Sequence, residues 1–189
     1  MAVDQGDLHV GLGVSANDAE VWRWNGSAWT KIGGDSTNSG WTTNYESVLS
    51  MAVYEDYLYA GLGVTAGDSE VWRWNGTVWG KVGGDGINSG WDNTIEDVDY
   101  MIVYNGSLYA GLGVTAGDAD VWSWNGSAWT QVGGDDLNGS WTAGTYEQVK
   151  TMTVYNGKLI AGLGNTAGDG EVWEYSGGTW IKIAGNTLN

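Results

Sequence analysis

Residues 61–85 read GLGVTAGDSEVWRWNGTVWGKVGGD, and this stretch returns three more times. The copies begin at Gly11, Gly111 and Gly162, so the repeat spacing is 50, 50 and 51 residues. The odd residue falls between Trp141 and Met152, where the other copies run Trp41 to Met51 and Trp91 to Met101. A length change there predicts a surface loop, because packed elements tolerate insertions poorly. A fixed period of this size is the mark of a repeat architecture, in which one supersecondary unit is stacked on its neighbours.

Working outward from the second copy, each unit predicts four strands. Val48 to Tyr54 is apolar and follows a polar loop. Glu55-Asp56 is then a turn, and the later copies place Asn105-Gly106 and Asn156-Gly157 there, the pair that favours a type I′ hairpin. Tyr57 to Leu62 predicts the second strand and Val64 to Asp68 a loop. Val71 to Trp74 predicts the third, with Trp72 and Trp74 on one face by two-residue alternation. Asn75-Gly76 predicts a second tight two-residue turn, Val78 to Val82 the last strand, and Gly83-Gly84 ends it. No segment carries helical periodicity.

Four antiparallel strands per unit of this length predict an all-β chain of β-propeller type. The expectation is one domain over residues 1–189, with four four-stranded antiparallel blades near 1–39, 40–89, 90–139 and 140–189. The pattern resembles kelch-type propellers. It shares with them an apolar first strand (Ser50 to Tyr54), a glycine-rich end to the second (Ala60 to Gly63) and an aromatic followed by Trp (Trp74, Trp79). The family's glycine doublet is interrupted here by Leu62, Leu112 and Leu163. The resemblance implies a ring of blades with binding surfaces in the loops.

The composition fits that reading. There are 33 Gly, 14 Trp and 10 Tyr, with no Phe, Pro or Cys, so large amphipathic rings and tight turns carry the core and no disulfide is available. No basic segment precedes an apolar run at Met1, and no apolar stretch reaches the roughly 20 residues of a membrane span. The net charge is -16, with seven Lys and Arg in all. Nucleic acid and anionic membrane surfaces, which need clustered cations, are not expected partners.

Turn lengths predict that the second-to-third loop and the blade-to-blade loop share one face, where sites gather. Trp41, Trp91 and Trp141 lie there in Asn-Ser-Gly-Trp or Asn-Gly-Ser-Trp segments. They have two readings. Each indole stacks on a sugar ring while Asp35, Asp85 and Asp135 take its hydroxyls, or each is a wedge packed between blades. Asp18, Asp68, Asp118 and Asp169 recur in the second-to-third loop, as loop caps or as calcium ligands. Glu46, Glu96 and Glu147 open the innermost strand, where a ring of carboxylates lines a solvated channel or recruits a cation such as calcium. Asn25, Asn75, Asn105, Asn125 and Asn138 sit in sequons, most of which double as turns. His9, replaced elsewhere by Tyr59, Tyr109 and Ile160, is a strand packing position.

Catalysis needs unlike groups brought together, whereas this chain repeats the same carboxylates, so a non-enzymatic protein with no resident cofactor is expected. One functional reading is a binding module taking glycan weakly at several sites. The other is a structural or assembly scaffold, a natural or engineered amplification of one unit. Met1-Ala2-Val3 aligns with Met51-Ala52-Val53, partway into a first strand. This predicts open edges and a homodimer forming an eight-bladed ring.

Overall fold

The structure, a computed structural model, describes residues 1–142 and 144–186. It is all-β, with 5% helix confined to three short 3-10 turns. Sixteen strands form four separate four-stranded sheets, each antiparallel and each in chain order. Sheet I contains β1 (Ala2–Asp4), β2 (Asp7–Leu12), β3 (Glu20–Trp24) and β4 (Trp29–Gly33). Sheet II contains β5 (Ser47–Tyr54), β6 (Tyr57–Gly63), β7 (Val71–Trp74) and β8 (Trp79–Gly83). Sheet III contains β9 (Val98–Tyr104), β10 (Ser107–Leu112), β11 (Val121–Trp124) and β12 (Trp129–Gly133). Sheet IV contains β13 (Val149–Tyr155), β14 (Lys158–Leu163), β15 (Glu171–Ser176) and β16 (Thr179–Ala184). None of the sheets closes on itself.

The first hairpin of each sheet follows from its turn pair. Tyr54 pairs with Tyr57 across Glu55-Asp56, and both turn residues have positive φ (48° and 62°). Asn105-Gly106 and Asn156-Gly157 repeat that geometry, the type I′ turn whose twist matches the strands. The third-to-fourth connection is the expected two-residue turn in sheet IV, where Ser176 pairs with Thr179 across Gly177-Gly178, but it is longer in sheets I, II and III. Trp74 pairs with Trp79, so four residues, Asn75 to Val78, lie between them. Asn75 Oδ1 accepts from the Thr77 amide at 3.0 Å and the Val78 amide at 2.9 Å. The asparagine is therefore a side-chain turn cap, a role that asparagine takes readily, and Asn25 and Asn125 repeat it. The last strand consequently starts at Trp79, one residue later than the sequence suggested.

The chain divides into two compact units, Met1–Val98 and Asp99–Asn189. In the first, sheet I packs face to face on sheet II, with Val21 and Ile32 against Leu58, Leu62 and Trp79. In the second, Val121 and Val132 of sheet III pack against Leu159, Leu163 and Trp180 of sheet IV. Both interfaces use the same donor. Trp79 Nε1 donates to the Ile32 carbonyl at 2.7 Å, and Trp180 Nε1 to the Val132 carbonyl at 2.8 Å. Both also use the same gap. A Cβ at Gly33 would lie 2.9 Å from Trp79 Nε1, and one at Gly133 would lie 2.6 Å from Trp180 Nε1. Glycine at these positions admits the neighbouring indole.

Candidate functional site

The long loop after the last strand of sheets I, II and III folds on a 3-10 turn, residues 37–39, 87–89 and 137–139. The asparagine inside it lies in the left-handed region and ties the loop back to its sheet. Asn38 Nδ2 donates to the Ile32 carbonyl at 3.1 Å, and Asn138 Nδ2 to the Val132 carbonyl at 3.0 Å. This aims the following tryptophan inward. Trp41, Trp91 and Trp141 are 1–2% exposed. Their Nε1 atoms donate to the carbonyls of Ala19, Ser69 and Ala119 at 2.5–2.6 Å.

The ring of Trp41 meets the edges of Trp72 and Trp79 at 5.8 and 5.3 Å between centroids. Trp141 meets Trp173 and Trp180 at 5.7 and 5.3 Å. These edge-to-face arrangements stabilise aromatic clusters, and they leave no indole face of Trp41 or Trp141 open for a sugar. The one-residue insertion falls between Trp141 and Tyr146, where Thr142, Gly144 and Thr145 are exposed; Ala143 lies outside the described residues.

Asp35 and Asp85 belong to a second construction. Lys31 pairs with Asp35 and, at 2.5 Å, with Glu20; Lys81 pairs with Asp85 and Glu70. Burial works to lower both ammonium groups, and the hydrogen bonds they donate to the aspartates and glutamates override it and raise them. The glutamate is the hub. Glu70 also accepts from Trp72 Nε1 at 2.7 Å and from the Tyr45 hydroxyl. Tyr45 is raised well above the usual phenol range, by burial first and by Glu70 second.

In sheet IV, Glu171 gathers Trp173, Lys182 and Tyr146 in the same way, and Tyr146 is pushed up to about 12 by burial and by Glu171. Sequence reasoning passed over these hubs. The signal was an acidic residue before each Val-Trp, answered by Lys eleven positions later. In the third copy, Glu becomes Asp120, Lys becomes Gln131 and Tyr becomes Ile95. Asp120 accepts from Gln131 at 2.9 Å and Trp122 at 3.3 Å, and burial pushes it up to about 7. Asp135 is exposed and adds to that rise, having no lysine at position 131.

The glutamates before the first strands pair with loop aspartates rather than with one another. Glu46 bonds Asp68 and accepts from Thr65 Oγ1 at 3.1 Å; Glu147 bonds Asp169 and accepts from Thr166 Oγ1 at 3.2 Å. Asp68 is pushed up to about 7, first by burial and then by Glu46. Asp169 is lowered, first by Thr166 and then by Glu147. Glu96 is half-buried, two residues before β9. In sheet I, Asp18 caps its own loop, accepting from the Ser15 amide at 3.2 Å. Among the described residues, no three carboxylate, His or Cys side chains come close enough to hold a metal ion. His9 is buried, and that burial lowers its pKa.

The chain matches no protein-family model, and no curated protein has a matching sequence.

Proposed function

We propose that this chain is a propeller-type repeat scaffold without catalytic function, its blades the four sheets and its loop tryptophans structural wedges. The observation that carries the reading is the double anchoring of Trp41 and Trp141. In each case the N–H is spent on the loop that leads into the third strand of one sheet, while the ring is clamped by two indoles of the next sheet. The hubs support it too, because Lys31 and Lys81 are already committed to two carboxylates each and so tie loop to sheet. Kelch-like membership stays a pattern-level part of this proposal, resting on strand count and glycine placement.

Glycan binding through Trp91 is the reading this displaces, and one experiment separates them. Trp91→Ala is screened on a glycan array and unfolded in urea beside the parent chain. The scaffold reading expects a silent array for both proteins and a loss of about 3–5 kcal/mol in the variant, the usual cost of truncating a buried Trp. Multivalent glycan signal that Trp91→Ala abolishes, with stability unchanged, would overturn it.

A further inference from the structure

The four sheets share one design but not one environment. In sheets II and IV the face turned to the preceding sheet is covered: Trp79 and Trp180 are 3% and 2% exposed, and Leu62 and Leu163 are buried. The matching face of sheet I carries Val10, Leu12, Trp22 and Trp29 around an open apolar hollow, and Trp29 is 48% exposed. In sheets I and III the face turned to the following sheet is covered, with Ile32 at 3% and Tyr104 at 8%. The matching face of sheet IV leaves Ile183 at 47% and Tyr155 at 66% exposed, with Ile181 beside them.

We infer that these two faces are the halves of one interface, and that a second copy of this chain seats its sheet IV on sheet I. The covered interfaces within the chain say what fits. Trp29 Nε1 would donate to the Ile183 carbonyl of the second copy, as Trp79 does to Ile32 and Trp180 to Val132. The Tyr155 hydroxyl would donate to the carbonyl of Gly6, as Tyr104 does to Gly157 at 3.2 Å. Ile183 would lie over Val10 and Leu12. Apolar faces of this kind on a soluble chain mark an interaction surface, and the two differ, so the contact is heterologous.

Two features tune the contact. Ala184 stands where sheets I and III have Gly33 and Gly133, so its Cβ crowds the seat of the Trp29 indole and the second copy sits slightly displaced from the internal register. The net charge of -16 opposes association, and salt screens that repulsion.

The test uses variants that close one face each. Trp29→Asp removes the sheet I face and Ile183→Asp the sheet IV face; both positions are half open, so both variants are expected to fold, which circular dichroism checks. Light scattering should give the parent chain a mass of at least twice 20.1 kDa at micromolar concentration, more so at high salt. Each variant alone should remain single, and a one-to-one mixture should form a pair and nothing larger. Ala184→Gly should associate about tenfold more tightly than the parent. A parent chain that stays single at high concentration and high salt overturns the inference. So does a single-face variant that pairs with itself as well as the parent does, or a mixture that fails to pair. The scaffold reading of the loop tryptophans survives each of those results, because it concerns covered faces only.

Discussion

Sheets I and II carry nearly the same side chains on the same face and meet opposite fates. Leu12, Trp22 and Trp29 in sheet I correspond to Leu62, Trp72 and Trp79 in sheet II. In sheet II Leu62 and Trp79 are buried and Trp72 half-buried against Ile32 and Trp41; in sheet I the set lines an open hollow. The strand pattern is therefore a property of each repeat, whereas burial is a property of the pair. A repeat unit of this kind cannot cover its own apolar face, and its stability comes largely from the neighbour.

The largest effect that would break the comparison is a matched truncation. Trp79→Ala should cost about 3–5 kcal/mol, because it removes a buried ring and one of the two side-chain hydrogen bonds to the Ile32 carbonyl. Trp29→Ala in dilute protein should cost less than about 1 kcal/mol, as a half-exposed change does. Urea unfolding of both variants reads the difference directly, and equal losses would mean that cover does not distinguish the faces.

A smaller effect sharpens it from the glycine side. Gly33→Ala puts a Cβ 2.9 Å from Trp79 Nε1 and 3.1 Å from the Trp41 ring, an overpacking expected to cost about 1–3 kcal/mol. Ala184→Gly, on the open face, should change the stability of the single chain by about 1 kcal/mol or less. Thermal melts of dilute samples suffice, and a Gly33→Ala protein as stable as its parent would contradict the close fit of the two sheets.

Much of this was legible in the repeats. Asn105-Gly106 announced a type I′ turn because few residue pairs accept two positive φ values, and Trp72 and Trp74 announced a strand by alternation. Other features were not legible locally. Asn75-Gly76 resembles the same hairpin turn, yet its side chain caps a longer loop, and a dipeptide does not encode loop length. The Glu70 hub joins Tyr45, Trp72 and Lys81 from three parts of the repeat, so no short motif contains it. The orientation of Trp41 depended on the Asn38 tie, which a run of Asn, Ser and Gly leaves undetermined.

Chemistry as well as cover separates the repeats, and sheet III measures that. Asp120, pushed up to about 7 by burial, binds a proton in the folded chain that it loses when unfolded at the same pH. Its contribution is fully present below the ordinary aspartate range and is lost as pH rises through about 7. Between about pH 5 and pH 7 the loss amounts to at most about 2 kcal/mol. Asp120→Asn should flatten that part of the pH–stability profile, and Gln131→Lys should restore an ion pair and draw the Asp120 pKa down. A profile identical in parent and Asp120→Asn would remove Asp120 as its cause.

The claim that burial belongs to the pair of sheets is tested most directly on the indole N–H groups themselves, by nitrogen-resolved NMR hydrogen exchange. In dilute protein, Trp79 and Trp180 should be strongly protected, because each donates across a covered interface, and Trp29 should exchange freely. Raising the protein concentration should protect Trp29 and leave the other two unchanged. Free exchange of Trp29 at concentrations where the mass has already doubled, or free exchange of Trp79 in the dilute chain, would contradict it.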